Sequence, residues 1–365
     1  MLDKGIRPVQ EFPETKSKNA GHSIMLNQVN HEPPEQLGFL LVPDFSMIGF
    51  FSAVEPLRVA NRLCGRPLYS WHIFSVDGEP VQASNGMAIV ADAPISAIQR
   101  FPTVIVCASF EPERHAGKRL LAWLRRLDRQ GSRLGALDTA TRILAEAGLL
   151  DGHRATLHWE AVPAFVEQFP DIEVTQELFE IDRKRITCSG GTAAIDLMLH
   201  LIAARHGQGL AIEVSEQLLH ARMRSPDEHQ RIAVGQRLGV RHPRLIRIVE
   251  AMENNLEEPL GLDEVAAIGG ISRRQLERLF RGHLGDTPTG YYLKLRLKRA
   301  RQFLEQTDMS VLGVSLACGF ISAPYFSRAY RALFGRAPRD DRRNFRAGEG
   351  RTGWFMTPPG GQELQ

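Results

Sequence analysis

Cysteine is scarce, with four among 365 residues, and Cys64, Cys107, Cys188 and Cys318 are scattered with no CxxC pair. Neither a disulfide scaffold nor a thiolate metal site fits that spacing, and no cofactor is expected. Long apolar runs are missing too. None approaches the roughly 18 residues that cross a bilayer, and no basic segment followed by an apolar one opens the chain. The expectation is a soluble cytoplasmic protein with no membrane partner. Net charge is small, +3, so no overall field draws the chain to a polyanion. Apolar residues are not in short supply. At 43% of a chain this long they can fill the cores of two or three domains.

The charge that exists is concentrated. Between Arg273 and Arg346 there are 16 basic and 6 acidic residues. The same stretch carries a repeat with a period of about 50 residues, in which Val265, Gly270, Ser272, Arg278, Gly285 and Pro288 return as Val314, Gly319, Ser322, Arg328, Gly335 and Pro338. In the first copy Leu262, Val265 and Ala266 form the stripe of a short helix, Gly269 and Gly270 permit a sharp turn, and Ser272 opens a second helix. Gln275, three residues on, completes a capping box. Leu276, Leu279 and Phe280 point inward, leaving Arg273, Arg274, Gln275 and Arg278 outward. In the second copy Ser310 and Ser322 cap the two helices, Pro324 sits in the first turn, and Ala323, Pro324, Ser327 and Arg328 are the surface candidates. Leu293, Leu297, Ala300 and Leu304 mark a helix between the copies, flanked by Lys294, Arg296, Lys298, Arg299 and Arg301. Two helix-turn-helix units on a rigid connector suit adjacent major grooves, about 34 Å apart, and the expected partner is double-stranded operator DNA.

Residues 262–342 resemble the DNA-binding domain of the AraC/XylS regulators. The resemblance rests on Gly319-Phe320, Tyr325-Phe326-Ser327-Arg328, Phe334-Gly335, Pro338 and the terminal Arg342; Asp341 departs from it, standing where the family usually has an aromatic residue.

The preceding half alternates short apolar runs with helical patterns. Strands are expected at Leu37–Val42, Tyr69–Val76, Thr103–Cys107 and Arg133–Leu137, and helices at Phe50–Leu63, Leu120–Arg129, Thr139–Gly148, Thr192–Arg205 and Ala211–Met223. That is an α/β sandwich around a parallel sheet, followed by an all-α double helix-turn-helix domain. The boundaries expected are a disordered tail over 1–36, an α/β domain over 37–205, an interdomain helix and linker over 206–240, the reader over 241–346 and a second disordered tail over 347–365.

The α/β half resembles the class I glutamine amidotransferase-like fold, in its PfpI and GlxA-type form, through 41–61, 145–152, Thr156 to Trp159 and 190–199. Enzymes of that fold place a cysteine at the turn after the strand Arg133–Leu137, where this chain has Asp138. An aspartate cannot replace a thiolate in acyl transfer, so a ligand sensor, not an enzyme, is expected. Its pocket is expected at the carboxyl end of the strand, built from Asp138 and Thr139 with His158, Ser46 and Asn61, and with aromatic faces from Phe45, Phe110 and Trp159. The resemblance adds Glu55, at the position of an acidic residue near the turn. A negative Asp138 favours a small effector with a positive part, held by cation-π contact. The resemblance also implies an amine such as a betaine, carnitine or arginine as effector, an activator of a catabolic operon, contact with RNA polymerase, and a homodimer. Two other readings stand beside this one: a DNA-tethered enzyme of the same fold, and a constitutive DNA-binding protein whose α/β half only dimerises.

Overall fold

The computed structural model describes residues 33–347, so the two expected disordered tails lie almost wholly outside the described residues. The α/β half runs β1 (Glu35–Leu41), α1 (Met47–Cys64), β2 (Tyr69–Ser75), β3 (Val81–Gln82), β4 (Ala88–Ile89), β5 (Ala93–Pro94), β6 (Thr103–Ala108), α2 (Lys118–Arg129), β7 (Arg133–Asp138) and α3 (Thr141–Glu146). It continues through β8 (Arg154–Ala155), α4 (Val162–Gln168), β9 (Glu173–Val174), β10 (Phe179–Asp182), β11 (Arg185–Cys188), α5 (Ala193–His206) and α6 (Gln208–Gln217).

One seven-stranded sheet, in the order β10-β11-β7-β6-β1-β2-β5, organises this half. Every pairing is parallel except β10 with β11. A parallel sheet buries both faces, and the alternation along β1 shows how. Leu37, Phe39 and Leu41 enter the core under α1, α5 and α6, while Leu40 enters the opposite core under α2, α3 and α4. Ser46 caps α1 by accepting the Gly49 N–H at 3.3 Å, so that helix begins three residues before the position expected. The antiparallel edge hairpin β10–β11 and the two small sheets β3–β4 and β8–β9 were not expected. Their strands are two to four residues long, too short to show a period.

The reader half runs α7 (Val234–Arg237), α8 (Pro243–Asn254), α9 (Leu262–Gly269), α10 (Arg273–Leu284), α11 (Pro288–Gln306), α12 (Val311–Ala317), α13 (Ala323–Phe334) and α14 (Pro338–Ala347). Tyr292, near the start of α11, packs in a core with α8, α9 and α10. Leu297, Ala300, Phe303 and Leu304, farther along α11, pack with α12 and α13. One helix of about 28 Å is therefore the spine of both units. The segment 206–240 divides by packing: Ala211 and Val214 of α6 lie in the core under α1 and α5, whereas Val234 and Val240 lie in the core of α8 to α10.

Candidate nucleic-acid interface and effector cavity

The expected capping box is present at α10. The Ser272 hydroxyl accepts the Gln275 N–H at 3.3 Å and the Gln275 Oε1 accepts the Ser272 N–H at 2.9 Å. Leu276 and Phe280 are buried, and Arg273, Arg274, Gln275 and Arg278 are exposed on the other face. Two of these four are already engaged, Gln275 in the cap and Arg273 in an ion pair with Asp263 of α9. Arg274 and Arg278, four residues apart on one helical face, have no comparable bond among the described residues. On α13, Ser322 accepts the Tyr325 N–H at 3.4 Å, Pro324 and Arg328 are exposed, and Ala323 and Ser327 are half-buried. Gly319, which turns the chain into α13, has φ +71° and a Cβ there would lie 2.5 Å from Pro259, so only glycine fits.

Several of the basic residues prove structural. Arg296 donates to the Cys318 and Gly319 carbonyls at 2.8 and 2.6 Å and stacks over Phe320 at 4.1 Å, clamping α11 to the second turn. Arg301 lies over Phe334 and pairs with Asp341 at 3.6 Å. Asp341 itself, the departure from the family pattern, is buried and accepts the Tyr330 hydroxyl at 2.8 Å. Fewer arginines are thus available to a phosphate backbone than the count implies.

At the far end of β7 the chain turns sharply. Asp138 has φ 63° and a Cβ on Gly190 would lie 2.7 Å from its own Cβ, so the turn is packed to its limit. Left-handed backbone at a non-glycine residue is a strained elbow, and aspartate tolerates it better than most. The elbow takes up Asp138 to Ala140, which is why α3 is shorter than expected. Burial pushes the Asp138 carboxyl up to about 7, with hydrogen bonds from Ser109 and the Thr139 N–H acting against it. Thr139 donates its hydroxyl to the Ser109 carbonyl.

Beside the elbow lies a cavity of about 120 Å³. Ser109 to Glu113, Thr139, Arg142, and Leu157 with Glu160 to Ala161 form its walls, with Ala164 and Phe165 of α4 and Glu305 and Gln306 of α11. Four carboxylates, Glu111, Glu113, Glu160 and Glu305, and one cation, Arg142, line it, and Glu111 is itself paired with Arg114 at 2.7 Å. Arg142 is tied down on both sides, to Glu146 at 3.0 Å and Glu113 at 3.7 Å and, by Nη1, to the Gln306 carbonyl at 3.2 Å.

Of the residues expected to line the pocket, only Phe110 and Thr139 do so. Asp138 lies behind the wall, 7% exposed, and its raised pKa leaves it a weaker anion than expected. Phe45 is fully buried, edge-on to Phe50 at 5.9 Å, and has no free face. Ser46 is spent on the α1 cap. Glu55 pairs with Arg58 at 2.6 Å on the surface of α1. Asn61 lies about 22 Å along that helix from its Ser46 cap. It binds Leu68 and Tyr69 at the start of β2, at the end of the parallel strands opposite the elbow. His158 packs on Trp159 at 5.5 Å, and burial pushes its imidazole down while Glu160 works against that. The Trp159 face is covered by Arg231 at 4.6 Å. The family resemblance over Thr156 to Trp159 was the signal for His158 and Trp159, whereas Glu305 and Gln306 lie far along the chain and carried none.

Residues 39–204 match the DJ-1/PfpI family and residues 265–344 match a helix-turn-helix domain. The chain belongs to the AraC-type transcription regulators that carry a GlxA-like DJ-1/PfpI domain on the N-terminal side. It is 56% identical over 304 residues to the HTH-type transcriptional regulator CdhR of Pseudomonas aeruginosa, spanning 83% of this chain and 90% of that one. GbdR of the same species is 48% identical over 309 residues, 85% of this chain and 84% of its own. GlxA of Rhizobium meliloti is 39% identical over 310 residues, 85% and 96% of the two chains. No helix among the described residues is long and apolar enough to cross a membrane.

Proposed function

We propose that the protein regulates transcription at specific operators in response to a small cationic or zwitterionic amine, and that its α/β domain binds this effector without turning it over. The observation that carries the reading is the acidic cavity at the elbow. Four carboxylates on the walls of one cavity, two of them, Glu160 and Glu305, still exposed, favour a cation over an anion. A nucleophilic role lacks a suitable group. Cys107 and Cys188, the thiols nearest Asp138, are fully buried, and burial holds both well above the ordinary thiol range, Cys188 at about 12. Thiols held in that state are poor nucleophiles. The activator role, contact with RNA polymerase and homodimerisation follow from the family resemblance and belong to this proposal.

Thermal melting of the full chain with L-arginine, L-carnitine and glycine betaine tests it. At least one should raise the midpoint with dose, by a stabilisation of about 2.7 kcal/mol at a hundredfold excess over its Kd. The same compound should change operator affinity at fixed salt. Stabilisation by neutral or anionic metabolites but by no amine overturns the effector class, and thiol-dependent amide hydrolysis overturns the sensor.

A further inference from the structure

Part of the cavity wall belongs to the DNA reader. Glu305 and Gln306, the last two residues of α11, face the elbow across the space where Thr139 and Glu160 stand. Sensor donors meet this helix end directly: Arg142 and Gln168 reach the Gln306 carbonyl at 3.2 and 3.3 Å. One turn back, Gln302 donates to Glu160 at 3.5 Å. Ala164 of α4 is buried in the same core as Leu297, Phe303 and Tyr330. The terminal carbonyls of a helix carry partial negative charge, so this end of α11 adds to the field of the four carboxylates.

A second observation is independent of charge. The Gln306 side-chain Oε1 is buried and accepts no hydrogen bond. Leaving a buried acceptor unmet is costly, and because this oxygen has no surface open to the cavity, the Gln306 amide must turn toward the space for a ligand's donor to remove that cost. A quaternary ammonium has no N–H to give, whereas a primary ammonium, a guanidinium or a hydroxylated quaternary amine has a donor. The aromatic surface that a bare quaternary head would need is limited to Phe110 and Phe165.

We propose that the reader completes the effector site: a small cation carrying an N–H or O–H donor is held between the elbow and the end of α11, with Glu305 opposing its charge and the Gln306 amide turning its Oε1 into the cavity to accept its donor. This rests on the amine-sensor reading above and deepens it. Occupancy then acts on DNA through α11, because that helix is also the spine of both helix-turn-helix units. A ligand gripped by both domains binds their docked arrangement best and shifts the chain toward it. By linkage, operator DNA must change effector affinity by the factor with which the effector changes operator affinity.

Calorimetric titration of the full-length protein tests this, with L-arginine and L-carnitine as donor-bearing probes and glycine betaine as the probe without a donor. The better donor-bearing probe should bind roughly tenfold more tightly than glycine betaine. Glu305→Gln should weaken it by roughly tenfold and shrink its effect on operator affinity. Gln306→Met, which keeps the length and loses the acceptor, should erase most of the preference for the donor-bearing probe. Melting without probe confirms that each variant folds. If the best probe binds both variants as it binds the native chain, the reader is no part of the site. If glycine betaine binds best and Gln306→Met leaves that order unchanged, the donor requirement is overturned. If no probe binds the native chain, the amine reading fails and this inference falls with it.

Discussion

Asp138 places a carboxyl where the fold leaves almost no water, and the consequence is a stability that depends on pH. Burial raises its pKa from 3.8 to about 7. The folded chain therefore binds a proton that the unfolded chain has lost between those values, and stability falls as pH rises through the window from about 4 to 7. Above it the full cost remains. Asp138→Asn removes the ionisation and should raise the melting midpoint at pH 8, by a stabilisation of about 1–3 kcal/mol, with the gap closing toward pH 4. A gap that does not change with pH would show that burial of the charge is not the cause. At this scale the chain was only partly legible. The replacement of a nucleophile by Asp138 could be read directly, but whether Glu55 or Asn61 reaches the elbow depends on which way α1 runs across the sheet.

The recognition helices were the most legible elements, because caps, turn glycines and a 3.6-residue stripe are local chemistry. Ser272 with Gln275, Ser310 and Ser322 cap as expected. Arg274 and Arg278 are the exposed base-reading candidates on α10. Arg274→Ala or Arg278→Ala should cost about 1–3 kcal/mol of operator affinity and relax preference at one base pair if the side chain reads a guanine. Loss to all sequences alike, with a salt slope lower by about one, marks a phosphate contact instead. Affinity unchanged for both variants at fixed salt would remove α10 from the groove. Arg296 is the counter-example within the same domain. The sequence places it on a flank of the connecting helix, yet its guanidinium is used on two carbonyls and a ring, none of which is close to it in sequence.

Across the whole molecule the loop 156–160 touches everything that must communicate. On one side Leu157 and Glu160 line the cavity. On the other, Gln230 donates to the Thr156 hydroxyl and the Leu157 carbonyl, both at 3.0 Å, and Trp159 lies under Arg231. Arg231 continues to Glu253 of α8 at 3.4 Å, within the first reading unit. This is a second connection between sensor and reader besides the end of α11. Trp159→Ala should remove the aromatic face under Arg231, at a cost of about 1–2 kcal/mol. Effector affinity should change little while the effector's influence on operator affinity declines. Equal influence in the variant and the native chain would show that the loop carries no signal, and a large loss of effector affinity would return Trp159 to the pocket.

The sequence by itself determined the two halves, their fold classes, the repeated reader and the missing nucleophile, since each is written in periodicity, capping or the identity of one residue at a turn. Only the tertiary structure decided what surrounds the elbow. The cavity joins residues separated by up to about two hundred positions, and no local pattern records that Glu305 and Gln306 close it or that Trp159 is already covered. The same holds for charge. An arginine reads alike on a helical wheel whether it faces DNA, as Arg274 and Arg278 are free to do, or is consumed within the fold, as Arg296 is. Burial and partners settle that, and they exist only once distant segments have packed.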